Sequence, residues 1–520
     1  MALAIGRRSL LAATGMALLA PAEAREPSVL RFIPESGLVA PDPIAQPTSA
    51  GRAHGMMVWD LLFGVLADGT PVPQMAAGSE ASADGLHWRI TLRDGLRFHD
   101  GTAVRAADCV ASIRRWGARR PFGQKLLART EALSVVDALR FDWTLSEPFP
   151  LLLTALGGDT CFIMPQALAE TDPATPVARI IGSGPYRFVP EAYVAGSRAA
   201  YARFELYQAA SGVGGIDKAA RVDRVEWMTA EPAAAIAALA RGAADWWENP
   251  PPDQIEAVRQ VPDVQIVINQ QAGVMPVLCF NHLQPPFNNR RLLRALLPAL
   301  DQGEFMTASM AGAPALSRTD VGVFAPQSPA ASDAGMAALT APRDLDAARH
   351  AVQESGYGGE TVQLMSPTDL PRVRALTEVA SDLFQRVGLI VEVADMDWAT
   401  LVQRRATRAA PDQGGWSAFC TTFTGLALGS PATHPLLRGS AEASGFGWPT
   451  SPRLERLRDA WFDATSARAR ARICAEMQTI ALHEVPFLPL GRWLGVSALR
   501  SGLSGVGVTP YPVFWGVAKA

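Results

Sequence analysis

The most regular stretch of the chain lies between residues 84 and 116. Leu86, Trp88, Ile90 and Leu92 alternate with His87, Arg89 and Thr91, the period-two pattern of a strand with one buried face. Asp84-Gly85 and Arg93-Asp94-Gly95 are turn signals at its two ends. Asp100-Gly101-Thr102 then leads into a segment with Val110, Ile113 and Trp116 at the spacing of a helix with one apolar side.

Gly182-Ser183-Gly184-Pro185-Tyr186 predicts a sharp loop running into a strand, and residues 221–228 predict another strand. Glu231-Pro232 opens a helix with Ile236 and Leu239 inward and Gly242 at its C-terminal cap. Pro250-Pro251-Pro252 is a rigid break. Residues 277–280 predict a short apolar strand, followed by a helix carrying Leu292, Leu293, Leu296 and Leu297 that Pro298 interrupts. Residues 346–393 read helix, strand, helix, strand. His350 and Val352 lie on the first helix and 362–365 form the first strand. Leu376, Leu383 and Phe384 lie on the second helix, which Gly388 stops, and 389–393 form the returning strand. Strands alternating with helices predict an α/β sheet, mostly parallel, with ligands favoured at strand carboxyl ends.

Composition narrows the functional classes. With 520 residues and 48% hydrophobic content the chain can build two or more domains. A net charge of -3 and a pI near 6.2 argue against a nucleic-acid binder. Lys occurs only at 125, 218 and 519, which reads as composition bias in favour of Arg.

The first 24 residues are expected to be an export signal. Arg7-Arg8 precedes the mostly apolar run 10–20, and Ala22-Glu23-Ala24 fits a small-x-small cleavage site. The Arg pair resembles a twin-arginine signal. Gly6, Leu10 and Ala12 depart from its commonest residues, so general secretion is the alternative route. No Cys lies near the cleavage site, so no lipid anchor is expected. No later stretch reaches the ~20 apolar residues a membrane helix needs. A periplasmic location follows as the expectation. The five cysteines (109, 161, 279, 420 and 474) are too scattered for a disulfide scaffold and are expected to be mainly buried thiols.

No GxSxG, GxxxxGK[ST], HExxH or helix-opening GxGxxG occurs, and Gly212-Val213-Gly214-Gly215 reads as a loop. The seven histidines lack paired metal spacing. The expectation is therefore no enzyme, no cofactor and no metal, with a nickel or haem binder and an exported enzyme as lesser alternatives.

The segments above, in their order, resemble the family 5 extracellular solute-binding proteins of ABC importers, of the dipeptide, oligopeptide and nickel type. The signature is the run from Leu92 through Arg93-Asp94-Gly95, Phe98-His99 and Asp100-Gly101-Thr102. It is joined by Ala107-Asp108, Gly182-Ser183-Gly184-Pro185-Tyr186, Phe280-Asn281, Pro285-Pro286-Phe287 and Pro486-Phe487-Leu488-Pro489. The resemblance covers essentially all of 28–515. It implies the two-lobed α/β periplasmic-binding-protein fold (type II, the large class with an inserted subdomain), hinged between its lobes. Lobe I would span 25–275 with the insertion at about 52–180, lobe II 276–490, and 491–520 would return to lobe I. The implied partners are a small solute or peptide and an inner-membrane permease, the chain acting as a monomer without nucleic acid.

In peptide-binding members of this family a Gly-Trp-x-x-Asp stretch sets a carboxylate on the ligand's α-ammonium group. The corresponding stretch is Gly415-Trp416-Ser417-Ala418-Phe419, so Phe419 stands where that Asp is expected. The family's carboxylate-binding Arg also has no counterpart in Leu364-Met365-Ser366-Pro367. Burying an ammonium against Phe419 would cost several kcal/mol. The expected ligand residues are Trp416, Phe419, Thr421, Thr422 and Phe423, with Trp448, Asn281 and His54 beside them. They suit a non-peptide or blocked solute with an apolar body and a few hydrogen-bonding groups. The alternative is a free peptide whose ammonium is held by another acid.

Overall fold

The computed structural model describes residues 27–44, 48–66, 69–158, 160–210, 218–441 and 444–520. The expected export signal over 1–24 and the loop at Gly212-Val213-Gly214-Gly215 lie outside the described residues.

Ten strands form the path of one large sheet: β1 (Val29–Ile33), β2 (Tyr186–Phe188), β3 (Arg198–Arg203), β4 (Arg224–Met228), β5 (Trp246–Glu248), β6 (Val264–Phe280), β7 (Val362–Pro367), β8 (Val391–Met396), β9 (Ala418–Thr424) and β10 (Arg492–Arg500). Their order is β8-β7-β9-β6-β10-β5-β1-β4-β3-β2, with two short strands, Ser317–Arg318 and Phe487–Pro489, attached to β10 and β6. The β2–β3–β4–β1–β5 end of this sheet is called lobe I below and the β8–β7–β9 end lobe II. The sheet is mixed where the sequence predicts it mostly parallel. Neighbours are parallel around β1 and around β7, but β6 and β10 join the lobes as antiparallel strands.

The strand predicted over 277–280 is the end of the 17-residue β6. Its first part pairs with β10, from Val264↔Arg500 to Val274↔Trp493. Its last part pairs with β9, from Val274↔Thr424 to Phe280↔Ala418. The handover at Val274 is where the chain passes between lobes. The ladder is irregular between Ile268 and Val274, and Gly273 lies there with φ +61°. A Cβ on Gly273 would fall 2.2 Å from the Trp493 carbonyl oxygen, so only glycine allows β10 this close.

A separate antiparallel sheet has the order Ala76–Ala81, His87–Leu92, Arg140–Leu145, Thr130–Val135, and the region around it is called the inserted subdomain below. The helix Ala106–Arg119 packs Ile113 and Trp116 inward, both fully buried. The signature turn is a structural joint. The His99 backbone N–H donates to Gly182 O at 2.8 Å, and His99 Nε2 lies 3.0 Å from Gly184 O. Gly184 itself leaves no room for a Cβ, which would lie 2.6 Å from Met57 O. Pro298 ends the helix Arg290–Ala295 in a 3₁₀ turn over Leu297–Ala299, as the sequence predicts. Among the described residues no helix is long and apolar enough to cross a membrane.

Candidate functional site

In an α/β sheet the open carboxyl ends of strands are the natural ligand positions. Here the ends of β1 and β5 in lobe I face the segment after β7 in lobe II, close to the crossing of β6 and β10. Glu248 closes β5 and is 2% exposed. Its Oε2 accepts the Glu35 backbone N–H at 3.1 Å. Its Oε1 accepts Ser49 Oγ at 3.2 Å and Gln270 Nε2 at 3.1 Å. These partners are all neutral. Burial, with the Glu35 charge beside it, pushes the Glu248 carboxyl up to about 7.

Glu35 follows β1, and its Oε2 accepts Asn249 Nδ2 at 2.9 Å. Its other oxygen receives a guanidinium N–H of Arg372 at 3.3 Å. Arg372 comes from the opposite lobe, in the first turn of the helix Pro371–Arg386. Its guanidinium also lies over the Trp493 ring, 5.4 Å from the centroid. Two carboxylates, an amide, an aromatic face and a cross-lobe cation thus meet at the hinge side of the cleft.

The lobes touch again away from the hinge. Phe462, on the lobe II helix Pro452–Asp463, is fully buried between Phe122 and Phe149 of the inserted subdomain, with centroids 5.7 and 5.9 Å away. Lys125 pairs with Asp459 and Arg129 with Asp463, each at 2.6 Å.

The structure places the sequence-predicted residues in two groups. Trp416 and Phe419 are fully buried and meet edge to face at 5.1 Å. Phe446 lies 5.5 Å from Phe419 and Trp448 lies 6.0 Å from Trp416. Arg405 and Arg408 cover these rings from outside, over Phe446 at 4.3 Å and Trp448 at 5.4 Å. Trp416, Phe419 and Trp448 are therefore packing of lobe II, not an open aromatic wall. The covering 446–448 segment, remote in sequence, is what fills the space above them. Thr421 is buried, while Thr422 and Phe423 are half-buried at the end of β9 nearest the strand crossing.

Asn281 and His54 hold backbone and side-chain groups inside the lobes. Asn281 Nδ2 donates to Trp416 O at 2.9 Å, and its Oδ1 accepts Leu283 N–H at 3.0 Å. His54 lies 2.9 Å from both Tyr201 Oη and Pro41 O, and burial pushes it down to about 4. Neither presents a free polar atom to a cleft. Among the described residues no group of three His, Cys, Asp or Glu side chains is placed to hold a metal. All five cysteines are buried.

Sequence reasoning missed Glu35, Glu248, Asn249, Gln270, Arg372 and Trp493. Their segments are far apart and share no spacing. A signal existed only at Glu248, an acid closing the apolar Trp246-Trp247 strand, where a buried carboxylate needs a reason.

Residues 70–431 match the bacterial extracellular solute-binding proteins, family 5. The chain is 32% identical over 486 residues to a probable peptide ABC transporter periplasmic-binding protein, y4tO, of Sinorhizobium fredii, covering 92% of this chain and 91% of that one. Among solved structures it resembles AgaA of A. tumefaciens R10 in complex with agropinic acid, with TM-score 0.76 and 19% identity over 95% of this chain and 99% of the other. It also resembles a dipeptide-binding protein of Pseudoalteromonas sp. SM9913 in complex with Met-Leu, with TM-score 0.77 and 18% identity over 95% of this chain and 100% of the other.

Proposed function

The chain belongs to the family 5 bacterial extracellular solute-binding proteins, and from that premise we propose that it is the periplasmic solute receptor of an ABC importer. It captures a small organic solute between its lobes and delivers it, unchanged, to an inner-membrane permease. The solute is not a free peptide held in the manner of the family's peptide binders. The observation that carries this is Phe419. It is fully buried, with Trp416 and Phe446 against its ring, where an ammonium-binding Asp is expected. The ring and the segment over it close the position, so β9 offers an α-ammonium no counter-charge, and burying one without a counter-charge would cost several kcal/mol. A non-peptide or N-blocked solute avoids that cost. Thr422 and Phe423, half-buried at the end of β9, are the remaining predicted residues with surface to offer it.

A second reading keeps a free peptide and moves its ammonium to another acid. The carboxylates of Glu35 and Glu248 support it, as does the peptide named in the description of the Sinorhizobium relative. A thermal-shift comparison of free dipeptides, N-acetylated dipeptides and opines with the full chain separates the two. A ligand at about 100 times its dissociation constant adds roughly 2.7 kcal/mol to apparent stability. Shifts with opines or blocked peptides alone support the first reading. Shifts with free dipeptides alone replace it with the second.

A further inference from the structure

The charged groups at the hinge side of the cleft are not explained by packing. Glu248 is almost wholly removed from solvent, yet Ser49, Gln270 and a backbone N–H are its hydrogen-bond partners. No ion pair of Glu248 is found among the described residues. A buried carboxyl without a counter-ion is unfavourable as the anion, so it keeps a proton until a cation is set beside it. Next to it a cation is already seated: the Arg372 guanidinium, sent from the other lobe, on the Glu35 carboxylate and over the Trp493 ring. Arg372 and Glu35 keep 27% and 37% of their side-chain surfaces exposed, so this seat is open to exchange.

We propose that Glu248 and Glu35 form the subsite for the cationic end of the solute, an ammonium or guanidinium group, and that Arg372 occupies part of that subsite from lobe II as an internal stand-in. The inference rests on the reading of the cleft as a solute-capture site and narrows its ligand to an organic cation. The incoming group takes the Glu35 oxygen that Arg372 holds, and its charge favours the carboxylate form of Glu248, whose proton leaves to solvent. Arg372, released, remains on the lobe II wall as a donor for an anionic group of the same solute. This reverses the arrangement in which lobe II supplies the acid, and it accounts for Phe419: with the cation held in lobe I, β9 needs no carboxylate.

The test uses the full chain and a fixed set of probes: agmatine and L-arginine for guanidinium, putrescine and L-ornithine for ammonium, succinate and N-acetylglycine as anions, and glucose as a neutral solute. Thermal shift gives apparent affinities for wild type, Glu248→Gln, Glu35→Gln and Arg372→Ala. Saturable shifts are expected with at least one cationic probe. Glu248→Gln should weaken that binding at least tenfold, and Glu35→Gln several-fold, the latter on a half-exposed residue whose change the fold tolerates. Arg372→Ala should strengthen binding of agmatine or putrescine several-fold, because the internal competitor is gone. A merely structural role for Arg372 predicts no gain. Equal cation binding by wild type and both Glu variants overturns the subsite but leaves solute capture standing. So do shifts confined to succinate, N-acetylglycine or glucose. No shift with any probe in this set, or with any peptide or opine, overturns both.

Discussion

Arg372 and Glu35 stand 337 positions apart in the chain and 3.3 Å apart in space, one in each lobe. Their contact lies beside the two strands that connect the lobes and ties one lobe to the other.

Partly exposed ion pairs contribute only about 0–1 kcal/mol to stability. Arg372→Ala is therefore expected to leave the unfolding free energy within about 1 kcal/mol of wild type. Its effect should appear in shape: without solute, the radius of gyration from small-angle scattering should rise. Added salt screens the pair and should bring wild type toward the variant. A variant as compact as wild type at low salt would rule out the pair as a closing contact.

Phe419→Asp would restore the carboxylate of the family's peptide binders, but the structure gives it a different consequence. The ring is fully buried against Trp416 and Phe446. Removing it and burying a charge should cost about 3–5 kcal/mol, read as a lower urea midpoint. Near-wild-type stability would mean that the position opens to the cleft.

These two residues also mark how far the sequence could be read. The strand 87–92, the helix after it, the Pro298 break and the Gly182–Gly184 loop were legible because short-range periodicity and turn chemistry dictate them. The long strand β6 was visible only at its apolar end. Its middle, Asn269-Gln270-Gln271, is polar and irregular because it passes between lobes beside the cleft. Position 419 reads from the sequence as a ligand-facing residue, but it is buried packing, because its covering segment at 446–448 comes from a loop that no pattern connects to β9. Glu35, Glu248 and Arg372 meet only because the lobes do, and that is tertiary information.

Glu248 gives a signed dependence on pH. Its carboxyl is raised from 4.5 to about 7 in the native state, so the native chain holds a proton that the unfolded chain has released between these values. The resulting stabilisation is complete below pH 4.5 and is lost as pH rises through 7. Urea unfolding of wild type minus that of Glu248→Gln should fall by on the order of 1–3 kcal/mol between about pH 5 and pH 8. A flat difference, or one that rises, contradicts this environment for Glu248.

The buried histidines act in the opposite sense. His54, His99, His282 and His434 are each lowered from 6.5 to about 4 by burial. The unfolded chain takes up their protons first, so their contribution is complete above pH 6.5 and is lost as pH falls toward 4. Each histidine accounts for up to roughly 1.4 kcal/mol per pH unit in that window. The melting temperature should therefore drop clearly from about pH 7 to about pH 4.5, and His434→Gln should lessen the drop. An unchanged melting temperature would mean that these rings are not held neutral.

The proposed receptor role requires that the lobes enclose one solute and release it unaltered. Titration calorimetry with the most stabilising solute from the thermal-shift panels, followed by recovery of that solute, tests it most directly. A saturable isotherm with one site per chain is expected, with the solute recovered intact. A non-saturable isotherm, or conversion of the solute during the titration, would contradict it.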